Sequence, residues 1–287
     1  MAPRPRRPVT ALRLAVALAL ALVASAPVAA IAAEDALARA EALYRDGAFA
    51  DAADAGAALG TADGLALAAR ASNVRAIYLA GGALGSADGL ALAARATNVR
   101  AIYLVGGEER RALLSDAERF ARRALAADRG HVEAALQLVV SLGEQAREMD
   151  AFQAFLAGLA DESGRLLDGL ARTADDSAYY HAVAGAWHGE LVRRGGAFLA
   201  GAFYSADLDE ATRHFERALA LAPASALIPT EYAKQLLALH GDTARARALL
   251  AQATASPPKD AQRELVRREA ARLLAELDTV AGAPSAP

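Results

Sequence analysis

The stretch that decides the fold is DEATRHFERALALAP, residues 209–223. Ala211, Phe215, Ala218 and Pro223 follow one another at intervals of four, three and five residues. At 3.6 residues per turn the first three share one face of a helix. Small side chains at the outer two positions let a neighbouring helix approach, and the large middle one fills the groove between them. The proline then ends the helix and prepares the next segment.

Working outward, the spacing recurs. In TARARALLAQATASPP, residues 243–258, it falls on Ala246, Leu250, Ala253 and Pro258. In DAERFARRALAADRG, residues 116–130, it falls on Ala117, Ala121 and Ala124, with Arg129 where proline would stand. A fainter copy is Ala52, Gly56 and Leu59, after Asp46-Gly47. Gly241-Asp242 mark the turn between two helices of one pair.

Apolar spacing is helical nearly everywhere else, and no window alternates with period two long enough for a sheet. It predicts helices over 35–46, 48–59, 63–80, 88–105, 109–127, 131–147, 151–173, 177–193, 207–221, 226–239, 243–254 and 260–277. Alanine and leucine dominate the composition, aromatics are scarce, and both favoured residues are strong helix formers.

This spacing resembles the second helix of the tetratricopeptide repeat. The resemblance implies an all-α, antiparallel helix-pair α-solenoid (a TPR-like superhelix) over residues 34–278 that binds protein or peptide partners through a concave face. A further resemblance covers residues 110–278. AYYHAVAGAWHGELVRRGGAFLAGAFYSADLDEATRHFERALALAP is followed by a repeat and by SPPKDAQRELVRREAARLL. That order is similar to the regulator of microtubule dynamics family and its bacterial exported relatives. Trp187, the 195–206 connector and Pro257 to Arg263 are its most specific parts.

The N-terminus reads as a secretory signal peptide over residues 1–33: Arg4, Arg6, Arg7 and Arg13, an apolar run, then small residues before Glu34. An uncleaved anchor helix is the alternative, and it is the chain's only expected membrane contact. The expected location is the periplasm or outside the cell, so microtubule binding is not carried over. Residues 279–287 read as a disordered tail.

Charge and composition exclude several functions. The formal net charge is -3 with both signs interspersed, whereas a nucleic-acid binder needs a basic stripe. There is no cysteine, hence no disulfide, thiolate metal site or thiol nucleophile. No Gly-x-Ser-x-Gly and no phosphate loop occurs. His181 and His188 are seven apart, two full turns, too far to share one ion on a regular helix. His131, His214 and His240 read as helix-end or solvent-exposed residues. No catalytic residue, metal or cofactor is assigned.

Partner contact is expected at Tyr180, His181, Trp187, Arg193, Arg194, Phe203 and Tyr204. Arg193 and Arg194 read either as ligands for a partner carboxylate or as caps on the carbonyls ending helix 177–193. Arg263, Arg267 and Arg268 are further polar candidates. The connector carries Phe198, Leu199, Phe203 and Tyr204, more apolar than a surface loop needs. It reads as a lid, either completing the helical core or covering a groove for a small molecule or lipid.

One feature fits no helix pair. ALGTADGLALAARASNVRAIYLAGG, residues 58–82, is repeated as residues 83–107 with changes only at Ser86, Thr97 and Val105. Its length suits one helix and a loop, with Asp63 or Asp88 as the expected helix cap. It reads as a recent tandem duplication, one copy in the native slot and the other surplus.

Overall fold

The computed structural model describes residues 35, 36, 38, 39, 41–43, 49–59, 61, 64, 67, 71, 86–239, 241–257 and 261–282. The signal segment, most of the first duplicated copy, His240 and Pro258 lie outside them. The chain divides into two units, Met1–Ala68 and Ala69–Pro287. The division falls inside the first duplicated copy. In the first unit, α1 spans Phe49–Ala58.

All regular structure among the described residues is helical. In the second unit α2 spans Ala87–Tyr103, α3 Gly107–Ala127, α4 Val132–Arg147, α5 Ala151–Leu156 and α6 Leu159–Leu170. Then come α7 (Ala178–Tyr204), α8 (Leu208–Leu221), α9 (Leu227–Ala238), α10 (Thr243–Ala255) and α11 (Ala261–Gly282). The last helix thus runs four residues into the expected tail. None of the described helices is long and apolar enough to cross a membrane.

Local sequence sets most helix starts. Ser86, Asp150, Ser177, Asp207 and Asp242 each accept the backbone N–H three residues on, satisfying a donor that the helix itself leaves free. The cap of α2 is therefore Ser86 rather than Asp88, which lies one turn in and meets His131 Nε2 at 3.0 Å. His131 caps α4, its Nδ1 accepting from the Ala134 N–H at 3.1 Å.

Two expected boundaries are moved by glycine. The helix expected over 151–173 is cut by Gly158, whose φ of 67° is a conformation glycine enters without Cβ strain. The expected 195–206 loop is a second helical arm of α7: Gly196, with φ 74° and ψ 160°, breaks the helix once and it resumes to Tyr204. Leu199 and Phe203, four residues apart, keep helical spacing beyond the break, so a one-residue break leaves a helix behind it.

Packing follows the alternation. Helices pair as α2/α3, α4/α6, α7/α8 and α9/α10, each inner helix also touches the next inner one, and α11 closes the series. This is a TPR-like α-solenoid. Nine repeat positions are fully buried: Ala117, Ala121 and Ala124 in α3, Ala211, Phe215 and Ala218 in α8, Ala246, Leu250 and Ala253 in α10. Phe215 stacks on Tyr232 with centroids 4.7 Å apart and rings 3° from parallel. Pro223 stands exposed just past the end of α8.

The second duplicated copy supplies α2, which packs on both α3 and α4. Leu90, Ala91, Ala94 and Ala101 are buried there.

Candidate functional site

The inner helices α2, α4, α7, α9 and α11 line one concave groove, and α11 approaches α2 across it. Its floor is a buried polar ladder. Asn98 Nδ2 donates to the Gln137 carbonyl at 3.0 Å and to Gln137 Oε1 at 2.9 Å. Ser141 Oγ donates to Asn98 Oδ1 at 3.0 Å. Gln137 Nε2 donates to Glu133 at 3.0 Å and to the Tyr179 hydroxyl at 3.1 Å. The ladder ties α2, α4 and α7 in register, since breaking any rung leaves a buried polar group without a partner.

Above this floor lies a hollow of about 160 Å³ that Tyr103, Glu144, Arg147, Glu190, Glu231 and Lys234 help to line. Burial raises the Tyr103 hydroxyl well above its ordinary pKa, and Glu231 and Glu144 push it further the same way. Burial likewise raises Tyr179. Both phenols stay neutral donors at any ordinary pH. Burial opposes the Glu190 carboxylate, but the Arg193 hydrogen bond and the Arg147 and Arg194 charges hold its pKa below the usual range. The groove thus offers neutral donors between fixed charges of both signs.

A second hollow of about 420 Å³ opens between α5, α6 and the second arm of α7. Its wall is apolar, with Phe155, Leu159, Leu191, Leu199 and Phe203 prominent. Trp187 sits between the two hollows and stacks edge-on to Tyr204 at 6.2 Å. Gly143 of α4 also borders both, and a Cβ there would meet nothing within 4 Å.

The outer side of α7 carries a histidine cluster. His181 Nε2 lies 2.9 Å from the Asp175 carbonyl, which can only accept, so Nε2 holds the proton. His181 Nδ1 is then an acceptor, and His214 Nδ1, 2.8 Å away, donates to it. The His188 ring stacks on His214 with centroids 5.7 Å apart. Burial and the two neighbouring imidazoles depress the His214 pKa to about 4, and burial lowers that of His188. Among the described residues, the buried His188 Nδ1 and Trp187 Nε1 find no hydrogen-bond partner. No group of three or more described acidic or histidine side chains is arranged to hold a metal ion.

The residues expected at a partner surface are therefore dispersed. Tyr180 and His181 are buried against the neighbouring helices, away from any surface. Helical rotation explains this: one residue along turns a side chain by about 100°, so Tyr179 faces the groove and Tyr180 the core. Trp187 is half-buried between the hollows. Arg193 is exposed and forks onto Glu190 at 2.9 and 2.6 Å. Arg194 caps not its own helix but the end of α4, donating to the carbonyls of Ala146 and Met149. Phe203 is exposed and Tyr204 half-buried beside the second hollow. The 195–206 segment forms one wall of the second hollow, with Ala200 and Ala206 buried against Val192. Arg267 and Arg268 both bind Glu264. His214, read as a surface residue, belongs to the cluster.

Sequence reasoning passed over Asn98, Gln137 and Ser141. Their one signal was polar residues on the apolar faces of α2 and α4, and their partners lie 39 and 43 residues apart. It also passed over Phe152 and Phe155, which the merged helix 151–173 hid.

No family model matches the chain, and no curated protein matches it. Among solved structures the chain is similar to a thermophilic TPR protein of Thermus thermophilus. That likeness has 19% identity and a TM-score of 0.49, covering 84% of this chain and 99% of that one.

Proposed function

We propose that the protein is an exported, non-catalytic scaffold that holds an extended peptide segment of a partner protein in the groove of its inner helices. The observation that carries this reading is Gly143. Glycine inside a helix costs about 0.5–1 kcal/mol relative to alanine, yet no neighbour obstructs a Cβ at this position. An unobstructed glycine bordering the groove leaves room for a chain to lie close to α4. The neutral Tyr103 and the Lys234 ammonium are donors for its carbonyls and carboxylates, and Glu190 and Glu231 are acceptors for its amides and basic side chains.

The test is a selection of random peptides displayed on phage against the full chain, followed by affinity measurement on Gly143→Phe. The substitution fills the groove at a position with free space, so far-UV circular dichroism is expected to stay unchanged while peptide affinity drops at least tenfold. Peptides that bind Gly143→Phe as tightly as the parent chain would refute groove binding. Export is tested separately: replacing Arg6, Arg7 and Arg13 with Asn should leave the chain inside the cell, and undiminished secretion would overturn that part of the reading.

A further inference from the structure

The surface beside the second hollow is more apolar than a free monomer's surface. Phe152, Leu156, Phe198 and Phe203 are 68, 67, 83 and 66 % exposed, and Phe155 and Leu199 are about half exposed. All six lie on α5 and the second arm of α7, which meet where Phe155 and Phe203 stack edge-on at 6.5 Å. An aromatic side chain presents about 150–250 Å², so the six together offer on the order of 700 Å². The largest apolar patch on an ordinary monomer is about 300–600 Å².

We propose that this patch is the interface through which two copies of the chain associate about a two-fold axis. Two observations select a second copy as the occupant. The patch matches the ~800 Å² that each partner commits to an interface of standard size. A two-fold interface must complement itself, and this one holds both halves of a fit. Phe198 and Leu156 project beside the hollow without forming its wall, and the hollow is about 420 Å³. A cavity of about 150 Å³ takes up a benzene ring, so the hollow has space for a Phe198 and a Leu156 from the facing copy.

The interface leaves the peptide groove open, because α5 and the second arm of α7 take no part in lining it. Because Gly143 borders both hollows, the interface is tested at Phe198 and Leu156, which line neither.

The absence of native cysteine makes the test specific. The full chain carrying Phe198→Cys is treated with a flexible bis-maleimide in the cells that produce it, then run on a denaturing gel. The expected result is a doubled-mass band several-fold stronger than for Arg217→Cys, an exposed position on α8. Adding Leu156→Asp, which alters only an exposed side chain, should remove the band while the far-UV spectrum stays helical. A Phe198→Cys band no stronger than the Arg217→Cys control overturns the proposal. So does a band that survives Leu156→Asp. Flotation of the Phe198→Cys chain with lipid vesicles in place of cross-linking overturns it too, and assigns the patch to lipid.

Discussion

Acidification should weaken the packing of α7 on α8, and His214 should carry much of the effect. The pKa of His214 falls from 6.5 to about 4 in the folded chain. Because the folded value lies below the unfolded one, the unfolded chain binds the proton more readily. Stability is then greatest above pH 6.5 and declines as pH drops towards 4, the window between the two values. Each pH unit of such a gap corresponds to about 1.4 kcal/mol, giving an upper figure on the order of 3 kcal/mol. The ring is only half enclosed, and solvent screens much of that. A loss of roughly 1 kcal/mol between pH 7.5 and 5.0 is the expected magnitude. Glu210 of the α8 start favours the protonated ring, while His181, His188 and Arg213 oppose it. The assay is urea unfolding followed by circular dichroism at pH 7.5, 6.5, 5.5 and 5.0. Glu162, Glu190, Glu264 and Glu269 have pKa values below 4.5 and so titrate largely below this range. His214→Asn keeps a donor facing His181 Nδ1 without a titrating group, and should flatten the slope by about half. An unchanged slope in His214→Asn would refute the assignment, as would stability that rises on acidification.

Other perturbations follow from the packing. At Gly185 of α7 a Cβ would stand 2.8 Å from Phe215 Cδ2 and 3.0 Å from the Ala211 carbonyl. Gly185→Ala gains about 1 kcal/mol of helix propensity but overpacks a fixed backbone, at about 1–3 kcal/mol. Net destabilisation by urea unfolding is expected; stabilisation would show that α8 yields. Asn98→Ala strips Gln137 Oε1 and Ser141 Oγ of a buried partner and should cost about 1–3 kcal/mol. A loss under about 0.5 kcal/mol, in the range of a surface change, would show that the ladder is ornamental. Deleting residues 83–107 joins the first copy to Glu108 at the same junction, so Thr61, Ser72 and Ala80 replace Ser86, Thr97 and Val105. The loss of a few methyl groups at about 0.8 kcal/mol each should leave a cooperatively folded helical chain. A collapse in circular dichroism would mean the first copy cannot take the α2 slot.

That the chain is helical, and that Ala117, Ala211 and Ala246 lie on small, packed faces, was readable from the residues alone, whereas the α2 cap is Ser86 rather than the expected Asp88. Those faces are set within one or two turns of their own helix. Such effects depend on nothing distant. The loud duplication, by contrast, said nothing of which copy docks; the structure seats the second. Gly196 was visible as a break, yet not that helix resumes beyond it and leaves Phe198 in solvent. The turn from Tyr179 in the groove to Tyr180 in the core, the meeting of His214 with His181, and the bond between Asn98 and Gln137 were likewise decided in tertiary space. Each depends on which neighbouring helix covers a given face. Chain-local forces of a few tenths to about one kcal/mol per residue specify the helices, but only close packing between them selects which side chains meet.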